Sequence, residues 1–216
     1  MQNFNIDLLK SDWCEAALTM KLRISYSVQR MNHELYPYDI VFGSALDFDK
    51  HWRLELKSLN WKQAQYPSGV LEVYKDDLKH HRPQWYEYNN SIDFVALQNI
   101  SDFVVHMFDA QKLKSHFIDL EKRHTHMYSA HASSSNRNAC PGYVYKVAWQ
   151  DTTAGYTGTS IDITSSMYHY ALMNPEIQHA FPDIFKSVKE KYNTTLKVRY
   201  QDKADEHHNK LVKLYA

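Results

Sequence analysis

At 216 residues, with 44% hydrophobic and 23% charged side chains, the chain has the balance of a folded globular protein, which excludes disorder as its default state. Lysine plus arginine equals aspartate plus glutamate at 25 each, so no global field draws the chain to nucleic acid or an anionic membrane, and no apolar run approaches the roughly 20 residues that span a bilayer. Two cysteines, Cys14 and Cys140, exclude a disulfide framework; with a start that lacks a basic and then apolar leader, they give the cytoplasm as the expected location.

In chain order, the patterning predicts an α+β fold. A predominantly helical N-terminal part covers residues 1–128 and a mobile loop covers 129–142. A smaller C-terminal part of strand hairpin and helix covers 143–216, packed on the first or forming a single domain with it. Capped at Asn5 or Asp7, the residues Ile6, Leu9, Trp13, Ala16, Ala17, Met20, Ile24 and Val28 recur at helical spacing and predict a first helix reaching about residue 30. The run LYPYDIVFGSALDF reads as an ordered connection with a short strand or turn. Asp49 then caps a second helix with Trp52, Leu56 and Leu59 in one stripe. A third, short helix begins near Ser68 and is stopped by Pro83.

The fourth helix, over residues 91–110 with a continuation as far as 123, is the strongest expectation. At 100° per residue, Leu97, Ile100, Val104, Met107 and Phe108 share one arc, while Gln98, Asn99, Asp102, His106 and Asp109 share the opposite one. The segment HASSSNRNACPG is small, polar and loop-like. YVYKVAW and SIDITS predict a β-hairpin. Asn174-Pro175 opens a helix to about residue 192, TLKVRY reads as one more strand, and residues 202–214 form a terminal helix.

The candidate chemistry concentrates on that fourth helix. In helical spacing Asp102 and His106 are i,i+4 neighbours, the geometry of a metal pair or of a carboxylate orienting an imidazole, with Asp109 one turn further on. From Pro83 to Gln111 there is no lysine or arginine, whereas Glu87, Asp93, Asp102 and Asp109 are acidic, a local charge that water solvates or a cation neutralises. Just upstream, KHHRPQWYEY places His80 and His81 at a helix end followed by a proline, where imidazoles serve as metal ligands or meet the helix dipole. Trp85, Tyr86 and Tyr88 read as packing residues rather than a base-stacking platform.

The stretch HHRPQWYEY, followed by ALQNISDFVVHMF, resembles the core of a small helical family from bacteria and phages, of unassigned function and similar in motif style to the His-Asp metal-dependent phosphohydrolases. The resemblance covers about 30 residues. It implies metal-ligand roles for His80 or His81 and for Asp102. The chain departs from the pattern in having no His-Asp dipeptide and in carrying Gln98 where a glutamate belongs, and an earlier ligand falls to His51 or His33.

Elsewhere, His116, His124, His126 and His131 read as a histidine-rich polar stretch, and Cys140 entering a predicted strand reads as structural. The pair His207-His208 reads as surface. No Gly-x-Gly-x-x-Gly, P-loop or Gly-x-Ser-x-Gly is present, which leaves Rossmann cofactors, nucleoside-triphosphate hydrolysis and α/β-hydrolase chemistry without support.

Two functions are therefore expected. The first is a metal-dependent hydrolase of a nucleotide-like phosphoester. Its divalent ion is held by His80, His81, Asp102 and His106, and its proton transfer is done by Asp109 and His106. The second is a non-enzymatic binding or inhibitor protein with a tyrosine-rich surface. The partner is correspondingly a small phosphorylated molecule or a protein, with neither a membrane nor nucleic acid involved.

Overall fold

The computed structural model describes residues 2–32, 35–44, 46, 50–58, 68–74, 91–99, 103–122, 128–130, 142–148, 150–151 and 156–215. Its centre is a six-stranded mixed sheet, curled into a half-barrel, with five helices among the described residues. Strands dominate the N-terminal part and helices the C-terminal part, which reverses the predicted order and corrects the predicted α+β layout.

Helix α1 (Gln2–Leu22) opens the chain. It buries Trp13, Ala16 and Ala17 of the expected stripe, and Leu18 beside them, but stops at Leu22, eight residues earlier than expected. Past that point, Ile24 stands exposed and the chain turns through Tyr26 N–H to Leu22 O into β1 (Ser27–Arg30). Strands β2 (Ile40–Gly43) and β3 (His51–Ser58) follow, and β3 replaces the predicted second helix. In HWRLELKS the apolar residues alternate: Trp52, Leu54 and Leu56 face the core, while Arg53, Glu55 and Lys57 face away. A spacing of four, Trp52 to Leu56, lies on one face in both a helix and a strand. The intervening Leu54 decides for the strand.

The predicted fourth helix is instead a β-hairpin, β5 (Phe94–Asn99) and β6 (Val104–Asp109), with Leu97 opposite His106. Phe103 enters β6 at φ 56°, in the left-handed region that an aromatic residue rarely takes. Val95, Ala96, Leu97 and Gln98 are all buried, so β5 has both faces covered and shows no alternation. Apolar residues at that density match a helical arc by number alone, whereas Val95, Val104, Val105 and Phe108 carry the strand preference.

With β11 (Thr159–Asp162) at its far edge, the sheet order is β1-β2-β3-β5-β6-β11, with β3 and β5 parallel and the other pairs antiparallel. Asp109 ends β6 and α2 (Ala110–Lys122) begins at the next residue. A second sheet, β4-β8-β7, joins β4 (Ser68–Tyr74), the predicted third helix, to β8 (Gly142–Ala148) and β7 (Tyr128–Ala130). A small pair, β9 (Gln150–Asp151) with β10 (Tyr156–Thr157), leads to β11 (Thr159–Asp162). The hairpin expected between YVYKVAW and SIDITS does not form, because β8 joins β4 while β11 joins β6. At Gly158 an added Cβ would lie 2.7 Å from the Phe108 ring, so glycine lets the chain pass this close to β6. The loop expected over 129–142 lies outside the described residues at 131–141.

Helices α3 (Thr164–Met173), α4 (Pro175–Ala180) and α5 (Pro182–Tyr215) complete the chain. Pro175 and Pro182 each occupy the first position of a helix, where the missing N–H removes no hydrogen bond. At 34 residues α5 is about 51 Å long, and it absorbs the predicted strand TLKVRY. Thr194 and Thr195 donate their hydroxyls to the carbonyls of Glu190 and Lys191 at 2.9 Å, which accommodates β-branched residues inside the helix.

The main core lies between one face of the large sheet and α1 with α3. Ile40, Phe42, Leu54, Leu56, Ala96 and Val105 from the sheet meet Trp13, Cys14, Ala17, Leu18, Met167 and Ala171. Trp13 stacks on Phe181 at 6.1 Å and donates its indole N–H to Met167 O at 2.9 Å. Arg30 links β1 to α1, donating to Glu15 and Asp12 at 2.7 Å each, and Tyr170 donates to the same Asp12 at 3.0 Å. Burial opposes the Arg30 charge, but the two carboxylates outweigh it and hold the guanidinium above its ordinary range.

Candidate functional site

Of the residues singled out in the sequence, His80, His81 and Asp102 lie outside the described residues, as do His33, His124, His126, His131 and Cys140. His106 and Asp109 are placed by β6. The helical i,i+4 geometry between Asp102 and His106 does not exist, because His106 belongs to a strand. Side chains three apart on a strand point to opposite faces, so His106 and Asp109 diverge. His106 lies between Val105 and Met107, which enter the main core, and is therefore on the other face with Phe108 and its register partner Leu97. It is buried, with Nδ1 3.0 Å from Ser160 Oγ on the neighbouring strand. Asp109 is exposed and accepts the Lys112 N–H at 2.9 Å, the bond of a helix N-cap at the start of α2.

The lysine-free acidic stretch is balanced from a different part of the chain. Asp93 receives the Arg53 guanidinium at 3.0 Å and the Arg53 backbone N–H at 2.8 Å. One ion cannot be shared by His106 and Asp109 on opposite faces of a strand. Among the described residues no group of three histidine, cysteine or acidic side chains converges.

A different site assembles where α1, β11, α3 and α5 meet. Lys21 in the last turn of α1, Asp162 at the end of β11, and Thr164 and Ser165 in the first turn of α3 line it together with Tyr192, Thr195, Leu196 and Arg199 of α5. Positions 192, 195, 196 and 199 fall at i, i+3, i+4 and i+7, which is one face of a helix. The cleft has a volume of about 260 Å³.

Its floor is ordered by local bonds. Asp162 Oδ1 accepts the Thr164 N–H at 2.8 Å and so caps α3 from one residue before its N-cap. The Tyr192 ring stacks on Tyr168 at 4.5 Å, and its hydroxyl lies 3.2 Å from His169 Nε2. Thr164 is 3% exposed, and its hydroxyl meets no hydrogen-bond partner among the described residues. Neither Lys21 nor Arg199 is ion-paired among the described residues. Among the described residues, two cationic side chains against one carboxylate leave the cleft net positive, at a helix end whose N–H groups also favour negative charge.

None of these residues was singled out as a site in the sequence. The spacing within α5 was the available signal, and reading residues 195–200 as a strand removed it. No family model, curated protein or solved structure matches the chain, so the comparisons do not bear on the resemblance carried by residues 79–108. Among the described residues no helix is long and apolar enough to cross a membrane.

Proposed function

We propose that the protein works by binding a small polar molecule in the cleft between α1, α3 and α5, without chemically changing it. The observation that supports this reading is the convergence there of Lys21, Arg199 and the Thr164 hydroxyl, polar groups that no neighbour satisfies among the described residues. The buried Thr164 hydroxyl is costly without a partner, and a ligand that supplies the missing bond recovers that cost on binding, while half-buried Lys21 and exposed Arg199 contribute charge. A cytoplasmic location, expected from the scarcity of cysteine, belongs to the same proposal.

The metal-dependent phosphohydrolase reading drew its geometry from a helical face that the chain does not form, and His106 already has Ser160 as a cross-strand partner. The binding reading is tested by screening a panel of phosphate esters, carboxylates, amines and polyols by ligand-observed NMR against the parent protein and Ser165→Trp, whose indole fills the cleft. The expected result is binding of at least one class, lost in Ser165→Trp, with the bound compound recovered unchanged. Binding that survives the substitution, no binding at all, or turnover of a bound ester would overturn the proposal.

A further inference from the structure

Resting on that reading, the geometry points to a phosphate monoester as the ligand, with Asp162 selecting phosphate over sulfate. Donors reach the cleft from three directions: the Lys21 ammonium from α1, the Arg199 guanidinium from α5, and, from the first turn of α3, the Thr164 hydroxyl and the N–H of Ser165, the Thr164 N–H being held by Asp162. A tetrahedral oxyanion accepts from several directions at once, whereas a planar carboxylate presents its two oxygens in one plane. A guanidinium binds phosphate oxygens in pairs and an ammonium supplies a compact point charge, so the two cations play complementary parts.

The helix end alone would not make a site. The second observation is Thr164, whose side chain is almost wholly buried on the cleft wall with an unpartnered hydroxyl. That oxygen is closed to water in the free protein, so a turn of the Thr164 side chain toward the cleft lets it donate to an oxyanion and recover the hydrogen bond that the fold leaves unmade.

Among the described residues Asp162 is the one carboxylate on the cleft wall. Its Oδ1 is engaged by the Thr164 N–H, which fixes the group at the rim. A carboxylate beside an anion is repulsive unless a proton lies between them. A phosphate monoester, with a second pKa of about 6, carries such a proton for part of the time, and inorganic hydrogen phosphate keeps one throughout the neutral range, so either can donate it to the carboxylate. Sulfate has none. Asp162 therefore admits the protonated phosphate and penalises sulfate, although both are tetrahedral and of similar size, because specificity comes as readily from a repulsive element as from an attractive one. The cleft volume of about 260 Å³ lies just below the range of drug-sized sites, which suits a phosphate on a small hydroxylated body and leaves little room for a complete dinucleotide.

The test is calorimetric titration of the full chain with inorganic phosphate, glycerol phosphate, sulfate and glycerol, repeated on Lys21→Gln, Arg199→Gln and Asp162→Asn. Glycerol phosphate is expected to bind, with sulfate at least about tenfold weaker, and each cation-removing variant is expected to lose about tenfold or more in affinity for phosphate. Asp162→Asn keeps an acceptor for the Thr164 N–H, and phosphate and sulfate should then bind with similar affinity. Equal affinity of the parent for phosphate and sulfate, or phosphate binding indifferent to both cation variants, overturns the inference. If glycerol or another uncharged or cationic panel member occupies the cleft while phosphate does not, the phosphate assignment fails and the binding reading stands. If nothing binds there, the reading itself fails.

Discussion

The β5–β6 hairpin and the cleft between α1, α3 and α5 both carry polar side chains at the margin of an apolar core, and they satisfy them differently. In the hairpin region the histidine and carboxylate candidates already have neighbours: His106 has Ser160, Asp109 has the Lys112 N–H, and Asp93 has Arg53, while the buried Gln98 Oε1 is left without a hydrogen bond among the described residues. In the cleft, Lys21, Arg199 and the Thr164 hydroxyl have none among the described residues. A histidine or carboxylate is thus not a functional candidate by its type alone. What the local bonding leaves unfinished is the better guide.

The largest effect that separates the two regions is a packing loss in the hairpin. Leu97 is fully buried on a strand covered on both faces, and Leu97→Ala should cost roughly 2 to 5 kcal/mol in chemical denaturation. Phosphate affinity of the surviving folded fraction should be unchanged. A cost well below 1 kcal/mol would show that β5 is not the sealed element described.

A second prediction concerns Cys14, buried in the main core, where burial pushes the thiol up from 9.0 to about 12. Between those values the unfolded chain loses its thiol proton and the folded chain keeps it, so this contribution to stability is present below pH 9 and is lost as the pH rises toward 12. Tyr170, whose phenol is raised chiefly by burial and then by Asp12, acts in the same direction. Unfolding free energies measured across that range should fall less steeply for Cys14→Ala than for the parent. An identical slope would mean that the thiol is solvated. Alkylation of Cys14 should likewise be slow in the folded protein at pH 8 and fast in denaturant.

The smallest effect is at Asp109. As the cap of α2, its replacement by alanine should cost about 1 kcal/mol and leave ligand affinity untouched. A cost near zero, read from the shift in denaturation midpoint, would remove the capping role and reopen the question of what the carboxylate serves.

The sequence made some parts of this arrangement legible and hid others for identifiable reasons. The stripe of α1 through Trp13, Ala16 and Ala17 could be read because one helix face meets one sheet face. The helix starts at Pro175 and Pro182 follow from proline chemistry, and only the first was recognised as a boundary. β3 was lost because Trp52 and Leu56 fit two periods, and β5 because burial on both faces removed its alternation. In α5, Thr194 and Thr195 suggested a strand, whereas their hydroxyls bond back to the helix. The cleft was illegible for a further reason. Its residues come from positions 21, 162–165 and 192–199, and only the tertiary packing of three helices brings those distant segments together.

The most direct test of this contrast is an amide NMR titration of the intact protein with glycerol phosphate. The largest shifts are predicted at Thr164, Ser165 and Thr195, with the amides of Leu97 and His106 unmoved. Shifts centred on the β5–β6 hairpin, with the first turn of α3 silent, would contradict the account.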